Sequence, residues 1–266
     1  MPVRVEHCNR VLTVIHSRPE ARNAVDPEHA EALYEAFLSF EKDDTADVAV
    51  FWGEGGAFCA GADLKRVATH DNKNMRSSLD FPKDGGGDVP RGPMGPSRLE
   101  LSKPVIAAIA GPAVAGGMEL ALWADCRVMG EGACMGVYCR RWGVPLVDGG
   151  TVRLPRVVGQ GRALEIIMTG RKVEAEECLR IGLCEKVVPK GQARQAAEAM
   201  AEEIARFPQA CVRADRRSAY LQQGLSVRAA LEREWTNSIG VVELEDASGA
   251  ARFDQGARRH GDFGKI

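Results

Sequence analysis

Histidine is scarce in this sequence, with five among 266 residues, and aromatic residues make up only 6% of it. Charge of one sign is lacking too: 35 Lys and Arg stand against 37 Asp and Glu, a formal net charge of -2. A phosphate backbone needs clustered base to hold it, so a nucleic-acid partner is not expected. No uninterrupted apolar run reaches about 18 residues, the length that crosses a bilayer, and the opening "MPVRVEHCNR" has no apolar centre of a secretory signal. The expectation is a cytoplasmic protein with no membrane partner. The eight cysteines are scattered, without a C-x-x-C pair or a histidine cluster beside them. That spacing predicts reduced, mostly buried thiols and no metal site.

What is present is a full core. With 45% hydrophobic and 27% charged residues the chain is ordinary for a globular protein. Its length fits one large domain or one domain with a helical appendage. "VLTVIHS" (11 to 17) and "DVAVFWGEGG" (47 to 56) read as buried strands. Between them "DPEHAEALYEAFLSFEKD" repeats apolar residues at helical spacing, with Asp26 as N-cap and Pro27 at the first helical position. The alternation returns in "PVIAAIAG", "GGMELALWADC", "RVMG", "GRALEIIMTG" and "CEKVVP", which predicts an α/β core with mostly parallel strands. After about residue 191 only helical patterns remain. The expected division is a core over 1–190 and a helical subdomain over 191–266. Residues 69 to 98 are rich in Gly and Pro and read as a loop, with a short helix near Met75 to Leu79.

Two segments draw attention. In "GEGGAFCAGADLK" (53 to 65) small residues follow a strand and let the backbone approach a ligand closely. In "IAGPAVAGGMEL" (109 to 120) a strand, a proline turn and two glycines lead into a helix whose first turn holds Glu119. Glycines after a strand also serve as plain turns, and an acid in a first helical turn also complements the dipole. As a pair in this order, the segments resemble the signatures of the crotonase, or enoyl-CoA hydratase/isomerase, superfamily. "RPEARNAV" (18 to 25) and "GQGRALEIIMTGRKVEAEECLRIGLCEKVVP" extend that resemblance from about residue 10 to 190.

The resemblance implies a crotonase-like ββα spiral core with a C-terminal helical trimerisation subdomain, assembled as a homotrimer or a dimer of trimers. It implies an acyl-CoA substrate, with coenzyme A carried by the substrate and no separate cofactor. Two backbone N–H groups, at Ala62 and Gly116, match the family's oxyanion hole, which stabilises charge moving onto the thioester oxygen. Glu119, three residues after Gly116, is similar to one of two hydratase glutamates and lies on the same helical face. The second glutamate's position matches Cys139, a departure that puts two-glutamate hydration in question. Asp148, in "VPLVDGGT", is either an Asp-Gly turn or an acid/base or nucleophile, with Trp142, Leu146 and Val147 expected to desolvate it. Arg22, Ala60, Asp63, Leu64 and Lys65 match coenzyme A contacts. Phe253, Arg258, Arg259, Phe263 and Lys265 are expected near the site, from this subunit or a neighbour.

Three functions follow as alternatives. An enoyl-CoA hydratase is the first, a double-bond isomerase or thioester hydrolase using Asp148 the second, and a catalytically silent acyl-CoA-binding protein the third. A serine peptidase is excluded, because no serine stands between Gly116 and Glu119 and no histidine lies in the neighbouring motifs.

Overall fold

The computed structural model describes residues 2–69, 79–83 and 89–254. The helix expected near Met75 and the C-terminal residues Arg258, Arg259, Phe263 and Lys265 lie outside the described residues. Strands β1 (Val3–Cys8), β2 (Val11–His16), β3 (Val48–Gly53), β4 (Val105–Ile109), β6 (Cys126–Gly130) and β9 (Lys186–Val188) form one sheet in the order β1-β2-β3-β4-β6-β9. β1 and β2 are antiparallel, and every later pairing in that sheet is parallel. β5 (Ala113–Val114), β7 (Cys134–Gly136) and β8 (Val173–Glu174) form a smaller sheet. The parallel α/β reading of the sequence is the one observed. β1 was missed by that reading because "VRVEHC" is polar and largely exposed, an edge strand without a buried face.

Alternation along the strands builds two cores. Leu12, Val14, Ala49, Phe51, Ala107 and Ile109 face α1 (Pro27–Lys42), where Leu33, Phe37 and Phe40 are fully buried. Val11, Val48, Val50, Ile106, Ala108 and Val128 face the other way, onto Ala193, Ala197 and Ala201 of α7 (Ala193–Ala205). Both faces are covered, which is why these strands read as unbroken apolar runs. The first helix beyond residue 190 therefore lies flat on the sheet, its small alanines allowing close approach. α1 starts where expected: the Asp26 side chain accepts from the His29 N–H at 2.8 Å, with Pro27 next.

Between strands lie α2 (Leu64–Thr69), α3 (Gly116–Trp123), α4 (Gly150–Val158), α5 (Gln160–Thr169) and α6 (Ala175–Arg180). α8 (Gln209–Leu221) and the long α9 (Val227–Asp254) complete the helical end of the chain and pack on one another. Arg213 of α8 pairs with Asp47, and Arg216 with Asp125, at 2.9 Å each, tying α8 to the core.

Candidate active site

The two glycine-rich segments meet. Segment 59–62 runs between two neighbours: Cys59 bridges Ala113 on one side, and Ala62 bridges Val25 on the other. In the second bridge Val25 donates to the Gly61 carbonyl at 2.9 Å and accepts from the Asp63 N–H at 2.8 Å. The N–H of Ala62 therefore points away from Val25, and it has no acceptor among the described residues. Gly61 adopts φ +95°, and a Cβ there would stand 3.1 Å from the Gly116 nitrogen and 2.9 Å from the Ala115 Cβ. Only glycine permits so close a passage.

α3 begins without a side-chain cap. Ala115 is held at φ 54°, a conformation that costs an L-residue on the order of 1–3 kcal/mol. Its own N–H is fixed to the Gly136 carbonyl at 2.8 Å, while the N–H of Gly116 has no acceptor among the described residues. An uncapped helix start leaves such donors open and carries the positive end of the dipole. Gly117 is equally constrained, since a Cβ there would meet the Cys59 carbonyl oxygen at 2.1 Å. Met94 packs against Gly116, within about 3 Å of where a side chain would begin.

Glu119, one turn further, is buried, with only 3% of its surface exposed. Its Oε1 accepts from the N–H of Asp148 and of Gly150, both at 2.9 Å. Burial raises its pKa to about 7, with the Asp148 charge acting in the same direction and the two N–H bonds opposing them. Asp148 is buried as well, and its Oδ1 accepts from the Met94 N–H at 2.9 Å and from the Ser97 hydroxyl. Burial raises the Asp148 pKa, against those two bonds. The surroundings expected for Asp148 were wrong in part. Trp142 is 70% exposed and Val147 52%, because the 138–147 segment turns them outward; loop 92–97 buries the carboxyl instead. Cys139 is buried in the 3-10 helix Tyr138–Trp142, and burial, with Glu119 nearby, raises its thiol pKa. It is held as a neutral thiol.

The residues expected to meet coenzyme A cluster beside Ala62. The Ala60 N–H donates to the Arg22 carbonyl at 3.0 Å, drawing loop 18–25 onto segment 60–63. Arg22 is exposed at φ 51°, and Leu64 and Lys65 are exposed at the start of α2. Asp63 is bonded to Arg18 at 3.0 Å, and Arg18 also pairs with Asp26 at 2.9 Å. Asn23 is fully buried and holds the loop from below, donating to the carbonyls of Glu54 and Ala57 and accepting from the Arg18 N–H. Neither Arg18 nor Asn23 was singled out in the sequence. Ser97 and Met94 were missed because they lie in an irregular stretch with no period to mark them.

Residues 6–238 match the family model described as Enoyl-CoA hydratase/isomerase. The chain is 33% identical over 255 residues to an enoyl-CoA hydratase, EchA19, of Mycobacterium tuberculosis, covering 93% of this chain and 91% of that one. It is 35% identical over 222 residues to the (E)-benzylidenesuccinyl-CoA hydratase of Thauera aromatica, covering 83% of each. Among solved structures, an enoyl-CoA hydratase from Mycobacterium tuberculosis superposes with a TM-score of 0.87 at 32% identity, over 97% of this chain and 98% of that one. One from Bacillus anthracis gives 0.85 at 29% identity, over 96% of both. The crotonase-like fold expected from the glycine motifs is therefore the fold observed, and this chain belongs to the enoyl-CoA hydratase/isomerase family.

Proposed function

We propose that this protein adds water across the double bond of an enoyl-CoA, with Glu119 as the acid/base and the N–H groups of Ala62 and Gly116 as the oxyanion hole. The observation that carries the reading is the buried Glu119, with a pKa of about 7, one helical turn beyond the open Gly116 N–H. Such a carboxyl exchanges protons readily near neutral pH. Bonds from both amides to the thioester oxygen stabilise the enolate that forms when hydroxide adds at the β carbon. Losing one such donor costs on the order of 3 kcal/mol. Because Cys139 stands where the resemblance expects a second acid, Glu119 takes the proton from water and returns it to the α carbon. No separate cofactor enters this chemistry.

Coenzyme A lies, in this reading, along Arg22, Ala60, Asp63, Leu64 and Lys65. The support is that these residues are drawn together at the mouth of the site by the pairing of loop 18–25 with segment 60–63. A subunit interface on α9 belongs to the same reading. Val227, Leu231 and Trp235 recur four residues apart with exposures of 78%, 59% and 66%, an apolar stripe that a homotrimer or a dimer of trimers would cover. A cytoplasmic location agrees with eight free cysteines and with the absence, among the described residues, of any helix long and apolar enough to cross a membrane.

A second reading, double-bond isomerisation with Asp148 as the partner acid, is favoured by Cys139 together with the burial of Asp148. The test is a panel of trans-2- and trans-3-enoyl-CoA esters, given to wild type and to Glu119→Gln. Hydration of trans-2-enoyl-CoA by wild type, lost in the folded Gln variant, supports the first reading. Double-bond migration without water addition supports the second. Binding of every ester without product would show a silent acyl-CoA-binding protein.

A further inference from the structure

We infer that Arg153 is a positioning residue for the reaction: it locks the turn whose two N–H groups grip Glu119, committing one carboxyl oxygen to structure and leaving the other for proton transfer. The inference rests on the reading of Glu119 as acid/base. Arg153, in the first turn of α4, donates from Nη1 to the Asp148 carbonyl at 3.0 Å and from Nη2 to the Ser97 carbonyl at 2.8 Å. Asp148 Oδ1 in turn takes the Ser97 hydroxyl and the Met94 N–H. Loop 92–97 and turn 148–150 are thus closed into one ring of hydrogen bonds, with the guanidinium as its bridge. The turn's N–H groups at Asp148 and Gly150 both end on Glu119 Oε1.

The chemical consequence concerns one atom. An oxygen that already accepts two N–H bonds faces donors and is a poor seat for a proton, so in neutral Glu119 the proton sits on Oε2. Oε2 has no partner among the described residues. Proton traffic with the substrate therefore runs through Oε2, and its position is set by the turn that Arg153 holds. Gly149 is part of the arrangement, at φ +95°, since a Cβ there would stand 2.2 Å from Nη1. The groups facing Glu119 are Asp148 from the turn, Arg153 from α4 and the Cys139 thiol from the 138–142 turn; Arg98 acts on Asp148 from loop 92–98. Asp148 accepts the bonds that an ionised carboxylate favours, so Asp148 and Arg153 balance each other while Glu119 is neutral. Removing the cation makes ionisation of Glu119 harder.

A side chain that only stabilised the fold would change melting behaviour and leave the pH profile alone. Arg153 also lines a cleft of about 900 Å³, beside Leu99, Trp123 and Tyr220, through which a small cation can reach its place. Arg153→Ala and Arg153→Lys are assayed across pH on the enoyl-CoA that wild type turns over. Arg153→Ala is expected to lose about 100-fold in kcat, the scale of a roughly 1 Å misplacement, with KM within a few-fold. Its acid limb moves to higher pH, and millimolar guanidinium restores part of kcat. Arg153→Lys keeps the charge without bridging both carbonyls, so kcat falls while the acid limb stays near wild type. If Arg153→Ala does not fold, the Lys variant decides. Wild-type kcat in a folded Arg153→Lys, or an unmoved acid limb in a folded Arg153→Ala, overturns the inference. Full activity of Glu119→Gln would instead remove the reading beneath it, and only Glu119→Gln reports on that.

Discussion

Glu119 is the residue on which burial and chemistry conflict most. Its pKa of about 7 in the folded chain, against 4.5 for an ordinary glutamate, means that the fold holds the proton more tightly than the unfolded chain does. The stabilisation is complete below pH 4.5 and is lost as pH rises through about 7. Glu119→Gln keeps an oxygen for the two N–H donors and has nothing to titrate. The difference in unfolding free energy, Gln variant minus wild type, is therefore expected to grow in the variant's favour between pH 4.5 and 7 and then level off, a gain of a few kcal/mol that appears as a rising difference in melting temperature. Thermal unfolding across that range checks it, and a flat difference would contradict the assigned burial. Catalysis runs the opposite way. A base that takes a proton from water must start ionised, so kcat/KM is expected to fall below pH about 7.

At the next scale, two loops and a helix start must be held in register. Arg18 does this on the side proposed for coenzyme A, bonded to Asp26 in front of α1 and to Asp63 in front of α2. Arg18→Met leaves the acid/base untouched and loosens loop 18–25 from segment 60–63. A partly exposed pair is worth on the order of 1 kcal/mol, so KM for the acyl-CoA is expected to rise about three- to tenfold, with kcat held. Steady-state kinetics in low and high salt test it, and an unchanged KM would place the coenzyme elsewhere. The α3 start is less forgiving. Gly117→Ala sets a methyl 2.1 Å from the Cys59 carbonyl oxygen, so the two segments must part. The expected outcome is loss of both stability and activity, measured together by melting and turnover.

These elements also show what the sequence could reveal. Gly61 and Gly117 are legible because close backbone approach at both positions admits no larger residue, and that requirement leaves a mark in the sequence itself. Asp26 and Pro27 were legible for a similar reason, as local chemistry that fixes a helix start. Arg153 and Ser97 were not, because their role exists only when two distant loops meet. Nothing in "GPSRLE" or "GTVRLP" announces a bond between main-chain carbonyls and a guanidinium. The environment of Asp148 was misread for a related reason. Apolar neighbours in sequence are not neighbours in space here: Trp142 and Val147 face outward, and Met94 and Ser97 do the burying.

Over the whole molecule, a sheet covered on both faces carries the glycine segments 53–62 and 109–117 beyond the C-terminal ends of its central strands β3 and β4, so the site is built from loops on a rigid scaffold. The alternation of strands and helices made that architecture readable, and the small alanines of α7 explain why a helix beyond residue 190 joins the core. The stripe Val227, Leu231 and Trp235 is exposed on α9. If the proposed assembly uses this stripe, Leu231→Glu together with Trp235→Glu shifts the mass in solution from an oligomer to the monomer, read by sedimentation; an unchanged mass would contradict the proposed interface. The most direct measurement is a crystal structure with a non-reactive acyl-CoA bound. The thioester oxygen is predicted to lie about 3 Å from both the Ala62 and the Gly116 nitrogens, with Glu119 Oε2 nearest the α and β carbons. A thioester oxygen out of reach of either amide, or an acyl chain on the far side of α3 from Glu119, would contradict the account.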